Sequence, residues 1–112
     1  MDIRRGAVIR VNLNPTLGRE QSGDARPCLI ISNSKFNAAR GGIVVAMPIT
    51  STIKPEIKVM VPVLEGFKVR GSIIAEQVRT LALSTRWWRA TVEVLPKDFV
   101  DRVVGILSVI VD

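Results

Sequence analysis

The 112-residue chain contains no histidine and no tyrosine. The first absence removes the side chain that most often moves protons near neutral pH, and with it every Ser-His or Cys-His nucleophilic pair. It also removes the commonest transition-metal ligand. A single cysteine, Cys28, leaves no thiolate cluster for zinc. Metal-free chemistry, or none, is therefore expected, with no cofactor. Cys28 has no intrachain partner, lies inside an apolar run and reads as a small core hydrophobe, which suits a reducing cytosol. Three Phe and two Trp are few for a module that holds nucleic acid by stacking bases. No apolar run approaches the roughly 20 residues that a membrane span needs. Met1 to Gly6 is too polar for a secretory signal. A cytoplasmic protein without membrane association is the expectation.

What is present points to one domain, residues 1–112. A chain this short buries only about two thirds of its unfolded surface. Yet 47% of it is apolar, with a mean hydropathy of +0.30. Surplus apolar surface is hidden in a partner subunit, so a homodimer is expected. The formal charge of +6 and a pI near 10.5 favour polyanions, although the cations are scattered rather than blocked.

Along the chain, Ala7 to Leu13 alternates and reads as a half-buried strand, stopped by Asn14-Pro15. Residues 14–26 form a long polar loop. Cys28 to Ser32 is apolar on both faces and should be a central strand. Ser34 to Arg40 reads as one or two helical turns capped by Ser34. Ile43 to Ile49 is a second central strand, and Ile57 to Val63 an alternating one demoted to an edge by Pro62. Further strands are expected at Ile73 to Val78 and Ala90 to Val94, with a short helix or turn at Ser84 to Trp88 between them. A helix from Pro96 to Ile110 sets Phe99, Val103, Ile106, Leu107 and Ile110 on one face. The fold class is mainly β with α: a small, strongly bent antiparallel sheet, close to a barrel, with a C-terminal helix.

The chain is organised around Gly18 to Ser51. If the two central strands pair antiparallel, Arg26 at the start of one lies near Thr50 at the end of the other. A guanidinium beside hydroxyls at a sheet rim is a natural phosphate seat. The Gly18-x-x-x-x-Gly23 spacing imitates a P-loop, but Asp24-Ala25 replace the required Lys-Ser/Thr and a strand follows instead of a helix. Glu20 and Glu76 are carboxylates that could converge, although no spacing demands it.

Arg5-Gly6, Val11-Asn12-Leu13-Asn14-Pro15, Gly18-x-Glu20-Gln21, Arg26-Pro27, Ile31-Ser32-Asn33, Pro48-Ile49-Thr50-Ser51 and Glu76-Gln77-Val78-Arg79-Thr80 follow one another in an order and spacing that resembles the MazF/PemK (Kid) family of toxins. The likeness covers nearly the whole chain. It implies an SH3-like barrel, a homodimer, metal-independent cleavage of single-stranded RNA, and neutralisation by an antitoxin with an acidic tail. It also implies that Arg26 and Thr50 are the catalytic pair. Glu20 matches the family's Gly-x-Glu-Gln glutamate, and Glu76 and Gln77 its Glu-Gln pair. Ser51, Glu76, Gln77, Arg79 and Asn33 are the expected substrate-binding residues. In the first strand, where many members carry Trp or Tyr, this chain has Val8-Ile9-Arg10.

RNA can be cut without histidine because its own 2′-hydroxyl can attack the adjacent phosphorus, leaving a 2′,3′-cyclic phosphate and a 5′-hydroxyl. The protein then supplies positioning and charge stabilisation. Arg26 stays protonated and suits a clamp or acid better than a base. Glu20 is a candidate for accepting the 2′-proton, or it pairs with Arg19 or Arg26. Two other classes remain at this point: a non-catalytic topoisomerase-binding poison similar to CcdB, and a non-catalytic nucleic-acid-binding barrel.

Overall fold

Ala7–Val11 forms β1, Arg26–Ile30 β2, Ser34–Ala39 α1, Ile43–Thr50 β3, Met60–Pro62 β4, Ser72–Ile74 β5, Arg79–Ala82 β6, Trp88–Val94 β7 and Lys97–Val111 α2. These elements come from a computed structural model that describes residues 3–14, 23–54 and 56–111. All strand pairings are antiparallel, in the order β4-β5-β3-β2-β1-β7, with β6 also on β3.

The apolar character of both faces of β2 places it inside the sheet, with a core on each side. Leu29 joins Val8, Met47, Ile49, Ile73, Phe99, Val100 and Val103 on the face covered by α2. Cys28 and Ile30 join Ile9, Val11, Leu13, Val44, Ala46 and Leu81 on the other. β1 departs from simple alternation for the same reason: Val8 is as deeply buried as Ile9 and Val11, while Arg10 is exposed and Ala7 half-buried.

β3 is the hinge of the bend. Its first half, Ile43–Ala46, pairs with β6, and its last two residues, Ile49 and Thr50, pair with β5. Pro48, which has no N–H to give a ladder, falls where β3 changes neighbours. The strand expected over Ile73 to Val78 is correspondingly cut to three residues, followed by a single 3₁₀ turn at Ala75–Gln77. The expected Ile57 to Val63 strand contracts to Met60–Pro62, because Ile57 N–H and Met60 N–H close turns onto Lys54 and Ile57 carbonyls.

The sheet bends but does not close, and β4 and β7 are its two edges. Closure is unnecessary where α2 lays Phe99, Val100 and Val103 over the inner face. The last turn of α2 runs past this cover, leaving Val109, Ile110 and Val111 exposed. No described helix is long and apolar enough to cross a membrane.

The turn between β2 and β3 is tied internally. Asn33, rather than Ser34, caps α1: its Oδ1 accepts the Phe36 N–H at 2.8 Å. Asn37 is fully buried and donates from Nδ2 to the Ile3 carbonyl at 2.7 Å and the Ser32 carbonyl at 3.2 Å. The Ser32 hydroxyl donates to Asn37 Oδ1 at 2.5 Å and accepts the Val45 N–H at 2.9 Å.

Candidate active site

The β2–β3 ladder pairs Ile30 with Ala46, Leu29 with Met47 and Cys28 with Pro48. Carried two residues further, that register aligns Arg26 with Thr50. The two residues that begin β2 and end β3 therefore belong to one end of one ladder.

Two glycines make this end possible. Gly23 has φ +135°, and a Cβ there would press on Arg26 Cδ at 2.7 Å, so the Arg26 stem lies directly against the bare backbone. Gly71, at φ +116°, opposes the end of β3 so closely that a Cβ would collide with the Thr50 carbonyl. Only glycine takes such a backbone without strain.

Thr50 is 7% exposed. Its Oγ1 accepts the Thr52 N–H at 3.2 Å, which fixes the oxygen while the hydroxyl proton keeps its capacity to donate. β3 ends between two open cavities. One, of about 270 Å³, is lined by Arg26 and Ser51 together with Arg10, Lys68 and Arg70. The other, of about 380 Å³, is lined by Thr50, Glu76 and Gln77 together with Thr52 and Lys54. A further cavity of about 480 Å³ lies elsewhere, around Arg5 and Asp101, and contains none of these residues.

The structure thus sets Arg26 and Ser51 on one of these cavities and Thr50, Glu76 and Gln77 on the other. It takes Asn33 to the opposite end of β2, where its side chain caps α1. Glu20 lies outside the described residues. Arg79 sits on β6 opposite Ala46, and its guanidinium donates to the Leu13 carbonyl at 3.4 Å. Beside it is a residue that the sequence reading passed over. Arg86 donates from one nitrogen to the Asn12 carbonyl at 2.8 Å and the Asn14 carbonyl at 3.1 Å. Burial, and then the neighbouring Arg79, lower the pKa of this guanidinium from its ordinary value. The two arginines hold the exit of β1, and Leu13 N–H bonds to the Gly23 carbonyl at 2.9 Å just before Arg26. Nothing local marks Arg86, since its contacts lie more than seventy positions away in sequence.

Burial pushes the Cys28 thiol up to about 12, against the opposing pull of Arg79, Arg26 and Arg86. A thiol with so little thiolate is a packing group, not a nucleophile. Among the described residues no three His, Cys, Asp or Glu side chains gather where they could hold a metal ion. The chemistry offered at this end is a guanidinium, a positioned hydroxyl and a cationic wall. Such a set binds an anion and becomes more effective as negative charge builds on it.

The family model described as the PemK-like, MazF-like toxin of type II toxin-antitoxin systems matches residues 4–111. Endoribonuclease PemK of Escherichia coli is 33% identical over 112 residues, covering 97% of this chain and 82% of that protein. Among solved structures, MazF of Deinococcus radiodurans is 27% identical with a TM-score of 0.87, over 98% of this chain and 96% of that one. A chain of the MazE-MazF crystal structure from the same organism is 28% identical with a TM-score of 0.80, again over 98% and 96%.

Proposed function

The chain belongs to the PemK-like, MazF-like toxins of type II toxin-antitoxin systems, and from that premise we propose how it acts as an endoribonuclease. The substrate is single-stranded RNA, and the attacking group is the substrate's own 2′-hydroxyl. The new P–O bond closes a 2′,3′-cyclic phosphate, and the 5′-oxygen of the next nucleotide leaves and takes up a proton. Arg26, with the Thr50 hydroxyl, stabilises the extra charge on the phosphoryl oxygens more strongly in the transition state than in the ground state. Arg26 or water supplies the leaving-group proton. Glu20 is the candidate acceptor of the 2′-proton, because guanidinium and threonine are poor bases at neutral pH. Ser51, Glu76 and Gln77 contact the nucleotides on either side.

The observation that supports this reading is the β2–β3 register, which gives Arg26 and Thr50 one end of the ladder between two open cavities. The chemistry needs no metal ion and no cofactor. The protein works in the cytosol, a setting that suits its buried free thiol. It pairs with itself as a homodimer, for which the exposed Val109, Ile110 and Val111 on α2 offer apolar surface. Its antitoxin uses an acidic segment complementary to the +6 charge.

The test is to incubate the purified protein with single-stranded RNA in EDTA and map the ends. Cyclic phosphate and 5′-hydroxyl ends are expected. A second substrate, with hydrogen in place of the 2′-hydroxyl at the mapped cut, should survive intact. Cleavage of that substrate, or 5′-phosphate ends on the first, removes internal attack from the account.

A further inference from the structure

The cleft on the Arg26 side of β3 carries more positive charge than one phosphate can use. Arg10, Arg26, Lys68 and Arg70 line it, and among the described residues no carboxylate does. It continues into a neighbouring cavity of about 180 Å³ that shares Arg10, Pro27, Lys68 and Val69. The acid that lines it among the described residues, Glu93, is bound by backbone: its two oxygens accept the Lys68 N–H at 2.5 Å and the Val69 N–H at 2.8 Å. A carboxylate on β7 thereby ties the segment that carries Lys68 and Arg70 against the sheet.

Arg10, Lys68 and Arg70 have no carboxylate partner among the described residues. Arg10, Lys68 and Arg70 are all exposed. Among the described residues the ion pairs involve Arg5, Lys97 and Asp101, and none of these three. The Arg10 guanidinium donates to a neutral group, the Ala25 carbonyl, at 3.2 Å. Arg10 also stands directly opposite Arg89 in the β1–β7 register. Like charges facing each other across a ladder are destabilising, and the unfavourable term falls when an anion sits between them.

We propose that Arg10, Lys68 and Arg70 form a second phosphate seat, which holds the backbone phosphate adjoining the scissile one in single-stranded RNA. The inference rests on the RNA-cleaving reading above and deepens it. The cleft opens onto Arg26, so a strand whose reacting phosphate faces Arg26 runs its neighbouring phosphate along this wall. Phosphate contacts carry no base information, so the seat governs affinity and placement and leaves the recognised sequence to other residues.

The test is the double variant Lys68→Ala/Arg70→Ala, assayed on an RNA containing a site mapped for the wild type. Lys35→Ala, on the exposed face of α1 at the far end of the ladder, controls for general loss of charge. The seat predicts a KM raised about tenfold in the double variant, as for two screened charge-assisted hydrogen bonds. It predicts kcat within about twofold and an unchanged cut position. The dependence of log(1/KM) on log salt should flatten by about 0.7 for each phosphate-binding cation removed. A neutral methylphosphonate at the adjoining phosphate should raise the wild-type KM but add little to that of the variant, which locates the seat without relying on any substitution in the protein. A KM and salt slope equal to those of Lys35→Ala overturn the seat while leaving cleavage standing. So does a methylphosphonate that costs both proteins equally. Loss of poly-glutamate binding with an unchanged KM assigns the cleft to an acidic protein instead. A wild type that cuts no RNA sinks the parent reading as well.

Discussion

At the Asn33 end of the β2–β3 ladder, the polar side chains of Ser32, Asn33 and Asn37 are engaged by the fold itself. Asn33 caps α1, Asn37 holds the Ile3 and Ser32 carbonyls, and Ser32 bonds to Asn37 and Val45. At the Arg26 end, hydroxyls and cations line two open cavities. Both ends are made of Asn, Ser, Thr and Arg beside the same two strands. What separates them is that the Asn33 end is closed on hydrogen bonds within the fold, whereas the Arg26 end borders open cavities. A buried donor without a partner costs about 1–3 kcal/mol, so the closed end is where loss of a side chain should unfold the protein. The open end is where loss should stop the chemistry.

The sharpest break in that contrast is Arg26→Ala. Removing one donor to a developing oxyanion costs about 10²–10³ in kcat, and this position is partly exposed, so melting should move little. A thermal scan beside a single-turnover assay checks both halves. Asn37→Ala should do the reverse. It leaves the Ile3 and Ser32 carbonyls without their donor, for a loss of about 1–3 kcal/mol, with specific activity of the folded fraction retained. Denaturant titration measures the first, and an unchanged midpoint contradicts the assignment.

Cys28 lies midway along β2 and gives a pH signature. Its folded value of about 12 lies above the ordinary 9.0, because burial favours the neutral thiol. The stability it contributes is therefore fully present below pH 9 and is lost as pH rises from 9 towards 12. The slope is at most about 1.4 kcal/mol per pH unit. Wild type should lose its stability margin over Cys28→Ala across that window, and parallel pH curves for the two proteins would contradict a buried neutral thiol. The smallest effect is that of Asn33→Ala, a lost helix cap worth about 1 kcal/mol. Its KM for RNA should match wild type; a raised KM would bring Asn33 back to the substrate.

Much of this contrast was legible in the sequence. The two apolar runs ending in polar residues pointed to the pairing of β2 with β3, because a strand apolar on both faces has to be central. From that pairing alone Arg26 and Thr50 come to one rim. The family likeness added roles that no spacing could supply. Three things stayed hidden, for one physical reason. The Asn33 cap competes with Ser34 at the next position, and only backbone geometry decides between them. Arg86 acts through carbonyls more than seventy residues away. Lys68 and Arg70 look like scattered surface charge until Glu93 draws their segment onto β7. Each depends on three-dimensional placement, which periodicity does not record.

The central claim is that Arg26 and Thr50 act together on one phosphoryl group. A double-mutant cycle of Arg26→Ala, Thr50→Val and the pair, read as kcat on a mapped RNA site, tests it most directly. The account predicts strong non-additivity, with the double variant little slower than Arg26→Ala alone. Losses that multiply independently would contradict it.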